Sequence, residues 1–310
     1  MELDGVPLTN LDQPLFEGAT KRDLVDYLDR ASDVFLPELR DRPLSVMRVL
    51  RGQGPFMQKN VPKYTPDWVR TTTMWAESSH REVRYAVCDD RRTLLWFGNQ
   101  RAVEYHPQLF RLDRPDHQTH MILDLDPPEG AKFDVAVRAA LLIREALRQD
   151  GLDGAVKTSG SKGVHVFVPL TPHSPDDVAA ATRAVAVRAE RLDPALATTA
   201  YIKDERQGKV FLDSTRAYGA TVVAAYSPRL RPGVPVSFPV PWDDILDVTP
   251  ADFTLKTAPI GDSPSWADLL PAPQTLPADL VAEGHTIPVA RVVAMHEGKR
   301  RKRAKEAGDG

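Results

Sequence analysis

The chain has 310 residues, 42% of them hydrophobic and 27% charged, with a formal net charge of −3. That length suffices for two ordinary domains or for one catalytic unit of two lobes, because single cores stop growing near ~250 residues. No apolar run approaches the ~20 residues of a membrane helix, the start MELDGVPLTNLDQ lacks the basic and apolar regions of an export signal, and the lone Cys88 excludes an intrachain disulfide or a cysteine-rich zinc module.

These exclusions lead to the expectation of a cytoplasmic protein with no membrane partner, in which any metal sits on oxygen or imidazole. In chain order, Leu24, Tyr27, Leu28, Ala31 and Phe35 recur at helical spacing and predict a helix from Lys21 to Leu39. Arg51 to Val69 is rich in Gly, Pro and polar residues and reads as a surface loop able to hold a nucleic-acid strand. Val83 to Val87 and Leu94 to Phe97 read as short strands, while Ala102 to His106 fits helix or strand equally. A second lobe opens at His120: strand Met121 to Leu125, helix Phe133 to Gln149, strands Ala155 to Thr158 and Val164 to Leu170, helix Pro175 to Leu192, and strand Lys209 to Asp213. The chain is proline-rich from Ser227 to Pro250, and Lys299 to Lys305 forms a basic tail that either reaches for phosphates or is simply solvated. This order predicts an α+β protein: an N-terminal α/β lobe (1–119), an RRM-like catalytic lobe (120–290) and a disordered tail (291–310).

Three stretches carry candidate chemistry. In MILDLDPPEG, strand alternation puts Asp124 and Asp126 on one face, where they repel unless a divalent cation lies between them; two solvated surface aspartates are the plain alternative. In KTSGSKGVHVFVPL, the turn with Ser159, Ser161 and Lys162, followed by His165, offers hydroxyls, backbone N–H groups and a cation to a polyanion, or is an ordinary polar hairpin. In GKVFLDS, Asp213 ends another alternating run, after Lys203, Arg206 and Lys209.

Together LDLDPPEG, TSGSKGVHVFVPL, R-x-G-K-V-F-L-D and ATVVAAYSPRLRPGVPVSFPVPWDDI, with QKNVPKYTPDWVRT and AVEYHPQ upstream, resemble the polymerase domain of bacterial end-joining DNA ligase D, in the archaeo-eukaryotic primase superfamily. The resemblance spans nearly the whole chain. It implies a template-directed nucleotidyltransferase of DNA repair in which Asp124, Asp126 and Asp213 bind two Mn²⁺ or Mg²⁺ ions. Ser159, Ser161, Lys162, His165 and Arg206 then contact the incoming triphosphate, with His106 close by, and ribonucleotides are favoured. Lys21, Arg48, Phe56, Lys59, Lys203 and Lys209 are expected at DNA. Gln13, Met47 and Met57 depart from the lysines and the aromatic that end-joining members carry, which weakens the expected hold on a 5′-phosphate. No K-x-D-G ligase motif is present, so a separate DNA ligase, and the Ku end-binding protein, are expected partners. An inactive nucleic-acid-binding relative and an unrelated metal-dependent phosphohydrolase are the alternatives; three convergent carboxylates disfavour the first, and the basic triphosphate site the second.

Overall fold

The computed structural model of the protein describes residues 1–16, 18–76, 80–217 and 221–289. The expected tail therefore lies outside the described residues. Among those described, no helix is long and apolar enough to cross a membrane.

Helix Lys21–Leu39 forms where its apolar spacing predicts, closed by a capping box between Thr20 and Asp23. It packs against a second helix, Arg91–Asn99, started by the Asp90 side chain accepting from the Thr93 N–H. The expected strand Leu94 to Phe97 lies inside this helix. Four consecutive apolar residues carry no period, and here all four are buried. Gly98 permits the close packing, since a Cβ there would lie 2.8 Å from Leu28 Cδ1.

The N-terminal sheet is built on strand Pro43–Arg48. It pairs along one edge with Ala102–Pro107, which resolves the ambiguous segment as strand, and along the other with Phe56–Gln58 and Arg81–Val87. Thr71–Ala76 closes the sheet beside Arg81–Val87. The long polar loop thus contains one short strand, Phe56–Gln58.

The second sheet has the order Ala197–Thr198, Val210–Asp213, Gln118–Asp126, Val164–His173, Ala155–Thr158, Pro239–Val240. Its four inner strands alternate with helices Phe133–Gln149 and Pro175–Leu192 in the split β-α-β order of RRM-like folds. The central strand begins at Gln118, two residues before the expected lobe boundary. Both helices pack on one face, where Leu123 and Leu125 are buried. Alternation sends Asp124 and Asp126 to the other face.

The turn between Thr158 and Val164 is held by close approach. A Cβ on Gly163 would lie 2.3 Å from the Leu125 carbonyl oxygen, and one on Gly160, at φ +65°, would lie 2.8 Å from Ser237 N. Gly163→Ala is therefore expected to lower stability by about 2 kcal/mol or more, whereas Gly54→Ala, with nothing within 4 Å of its Cβ, is expected to be near neutral. Urea denaturation of the two variants beside the parent protein checks this.

Candidate active site

Strand register brings four side chains into one row across four neighbouring strands: Lys157 opposite His165, His165 opposite Asp124, and Asp124 opposite Asp213. Asp126 stands two residues further on the same face. All three expected carboxylates and His165 therefore meet.

Hydrogen bonds fix the row. The Ser237 hydroxyl donates to the Thr158 carbonyl (2.8 Å), so Ser237 Oγ accepts from Lys157 Nζ (2.5 Å), which also approaches His165 Nδ1 at 2.8 Å. The other ring nitrogen, Nε2, faces Asp124 Oδ1 at 3.3 Å and carries the proton, because a carboxylate only accepts. Burial, then the Lys157 charge, pulls His165 down to about 4, so the ring is neutral near pH 7. Burial also drives Lys157 well below the usual lysine range. For Asp124 burial acts upward, but His165, Arg216 and Lys157 together outweigh it and keep the group ionised. Burial and then the neighbouring Asp124 charge raise Asp126. Asp213 Oδ1 accepts from the Thr215 N–H (2.8 Å) and hydroxyl (2.6 Å), which leaves Oδ2 to face Arg216 Nε.

Oxygen donors alone suit Mg²⁺ or Mn²⁺, and the register that pairs Asp124 with Asp213 fits such an ion. Among the described residues, however, no three acidic, imidazole or thiol side chains form a ready metal cage. Arg216 Nε lies between the two aspartates, 3.3 Å from Asp124 Oδ2 and 3.2 Å from Asp213 Oδ2.

The row opens on a pocket of about 250 Å³, lined by Met57 and His106 from the N-terminal lobe and by Asp124, His165, Arg216, Val223 and Arg229. Strand alternation puts Glu104 and His106 on one side of Ala102–Pro107. Glu104 is buried; it faces His106 Nε2 at 3.0 Å and Arg229 Nε at 3.2 Å, and accepts from the Leu230 N–H at 2.8 Å. Burial acts upward on its carboxyl, yet these partners bring it to about 2. Arg229 in turn donates to the Ser159 carbonyl.

The glycine turn differs from its expected use. Ser159 Oγ accepts from the backbone N–H groups of Ser161 and Gly163, so those donors hold the turn together. Ser161 Oγ accepts from Arg231, and Lys162 Nζ reaches the Pro127 carbonyl at 3.0 Å, beside Asp126. Arg206 lies at the far edge of the row, stacked 3.7 Å over Phe211 and held by the Ala200 and Tyr201 carbonyls.

Two of the residues expected at DNA, Lys21 and Arg48, are held by neighbours within the lobe. Lys21 is only 3% exposed and donates to the Thr9 carbonyl, and burial with the nearby Arg101 brings it down to about 8. Arg48 is 5% exposed and bonds Gln58, Tyr64 and the Gln100 carbonyl. Both are tied inside the lobe because their strand and helix faces point inward. Lys59 and Lys203 are exposed, and Phe56 and Lys209 half-buried. Lys157, Glu104, Arg216, Arg229 and Ser237 were not singled out from sequence; Glu104, two residues before His106 in a strand, carried the one available signal.

A Glu104 carboxyl depressed from 4.5 to about 2 stabilises the fold above pH ~4.5, and that contribution disappears as pH falls toward ~2. Glu104→Gln is therefore expected to unfold more easily at pH 7, by about 3 kcal/mol, with the gap closing in acid. Denaturation midpoints at pH 7 and pH 3 measure it, and a gap independent of pH refutes the assignment.

Residues 20–263 match the family described as LigD, primase-polymerase domain. The chain is 34% identical over 257 residues to the bifunctional non-homologous end joining protein LigD of Bacillus subtilis, covering 80% of this chain and 41% of that protein. It is 33% identical over 258 residues to the multifunctional non-homologous end joining DNA repair protein LigD of Mycobacterium tuberculosis, covering 78% and 34%. The match thus takes in well under half of the length of either relative. A solved structure, the polymerase domain from Mycobacterium tuberculosis ligase D in complex with DNA, superposes with a TM-score of 0.73 at 33% identity, over 79% of this chain and 89% of that one. The chain belongs to the LigD primase-polymerase domain family.

Proposed function

We propose that the protein is a template-directed nucleotidyltransferase that extends a primer 3′-hydroxyl at DNA gaps or breaks, in the end-joining repair that its relatives' names describe. The observation that carries this reading is the row His165, Asp124, Asp213, with Asp126 beside it, facing a pocket rimmed by His106, Arg216 and Arg229. Asp124, Asp126 and Asp213 would hold two Mn²⁺ or Mg²⁺ ions. When bound, these supply Lewis-acid activation of the attacking hydroxyl and neutralise the leaving pyrophosphate.

The chain's own residues then divide the work. Arg229 and Lys162 offer cations to the triphosphate, and Ser159 and Ser161 keep the turn shaped beneath it. Neutral His165 orients Asp124, and Lys157 and Ser237 orient His165. Glu104 holds His106 and Arg229 toward the same pocket. Arg206, Lys203 and Lys209 form a basic edge beyond Asp126, suited to phosphates of the triphosphate or of DNA, and Phe56, Met57 and Lys59 face the template side. A preference for ribonucleotides and cooperation with a DNA ligase and Ku belong to the same reading, as does a cytoplasmic, nucleoid-associated location.

Primer extension on a gapped template with Mn²⁺ and each nucleotide type tests the reading. The Asp124→Ala, Asp126→Ala protein is expected to lose activity by on the order of 10³-fold or more. Undiminished extension by that variant refutes the carboxylate assignment, and the ratio of ribonucleotide to deoxyribonucleotide incorporation by the parent protein measures the sugar preference.

A further inference from the structure

Arg216 is held differently from the other arginines around the pocket. Arg206, Arg229 and Arg231 each donate to backbone carbonyls, which fixes their guanidinium groups whatever the charge of the site. For Arg216 the contacts among the described residues are to carboxylates alone, Asp124 and Asp213. Its Nε is buried between them at 3.2–3.3 Å without an aligned hydrogen bond, so the attraction is chiefly coulombic and weaker than an aligned arginine–carboxylate pair. The side chain is still 38% exposed and lines the pocket that His106 and Arg229 share.

A cation is needed at this point. Asp124 and Asp213 are opposite one another in the strand register and Asp126 lies on the same face, and adjoining carboxylates repel unless positive charge lies between them. Arg216 is in contact with both Asp124 and Asp213 and places its charge between them. The place it takes, between two aspartate oxygens, is where a divalent ion would sit.

We propose that Arg216 is the resident counter-cation of the carboxylate cluster: it bridges Asp124 and Asp213 in the metal-free protein, is displaced by a divalent ion, and then turns its guanidinium into the pocket toward the triphosphate. This inference rests on the polymerase reading above. It gives one side chain two successive partners of the same charge type, carboxylate and then phosphate, both of which suit a guanidinium. No bond is made or broken; the exchange is of ionic partners only.

Mn²⁺ binding without nucleotide or DNA, followed by the loss of the free-ion paramagnetic resonance signal, tests the first half. Arg216→Met keeps the length and removes the charge, and is expected to bind Mn²⁺ about tenfold more tightly or better, since a unit charge a few ångströms away no longer competes. The same variant without metal is expected to melt at a lower temperature and to recover when Mn²⁺ is added. Unchanged or weaker Mn²⁺ binding overturns the inference. For the second half, primer extension at saturating Mn²⁺ is expected to give a KM for the nucleoside triphosphate raised about tenfold, with partial recovery in Arg216→Lys; a KM within about twofold of the parent value overturns the transfer to the triphosphate. A parent protein that extends no primer refutes the polymerase reading instead, and the Mn²⁺ titration and melting then judge Arg216 by themselves.

Discussion

The site depends on the register between strand Gln118–Asp126 and its two neighbours. Side chains in a sheet alternate with period two, so a slip of one residue would turn Asp124 and Asp126 into the helix-covered core and bring Leu123 and Leu125 to the pocket. The burial of Met121, Leu123 and Leu125 on the opposite face makes that slip costly. Hydrophobic burial on one face therefore holds the acidic residues in place on the other. The same register aligns His165 and Lys157, so one choice of pairing assembles four polar side chains from four strands.

Much of this was legible in the sequence. The helices Lys21–Leu39, Phe133–Gln149 and Pro175–Leu192 have enough turns for the 3.6-residue period to stand out, and their bounds agree with those expected. Leu94 to Phe97 did not, since four apolar residues in a row fit either period and the deciding signal, the Asp90 cap, lies outside the run. Among site residues, the three aspartates and His165 sit in strands with clear alternation, and the fold brings them together. Lys21 and Arg48 were expected at DNA from the resemblance alone, and what sequence could not supply is the set of neighbours that holds each: the Thr9 carbonyl for Lys21, Gln58 and the Gln100 carbonyl for Arg48.

The residues that sequence reasoning passed over act through others. Lys157 is a charged residue in a four-residue strand, which ordinarily reads as a solvent-facing side chain, yet it is fully buried because both of its hydrogen-bond partners are. Ser237 and Arg229 belong to a proline-rich stretch with no period to read. Their partners are some 70 to 80 residues away in the chain, at Lys157 and Ser159, and only the tertiary structure supplies them.

That irregular stretch governs how the two lobes meet. Buried backbone without a ladder must find partners elsewhere, and here side chains and neighbouring strands supply them: Ala224 N–H donates to the Tyr105 carbonyl, Tyr105 N–H to Ser227 Oγ, and Leu230 N–H to Glu104. Further along, Ser237 joins Thr158 and Lys157 in the catalytic sheet. The segment is therefore bonded to the strand carrying His106 at one end and to the row carrying His165 at the other. The spacing of His106 from Asp124, and with it the width of the pocket, is set by a stretch of chain with no regular secondary structure over most of its length. Its conformation is fixed because the groups that hold it, Tyr105, Glu104, Ser227 and Ser237, are all buried and satisfied by it.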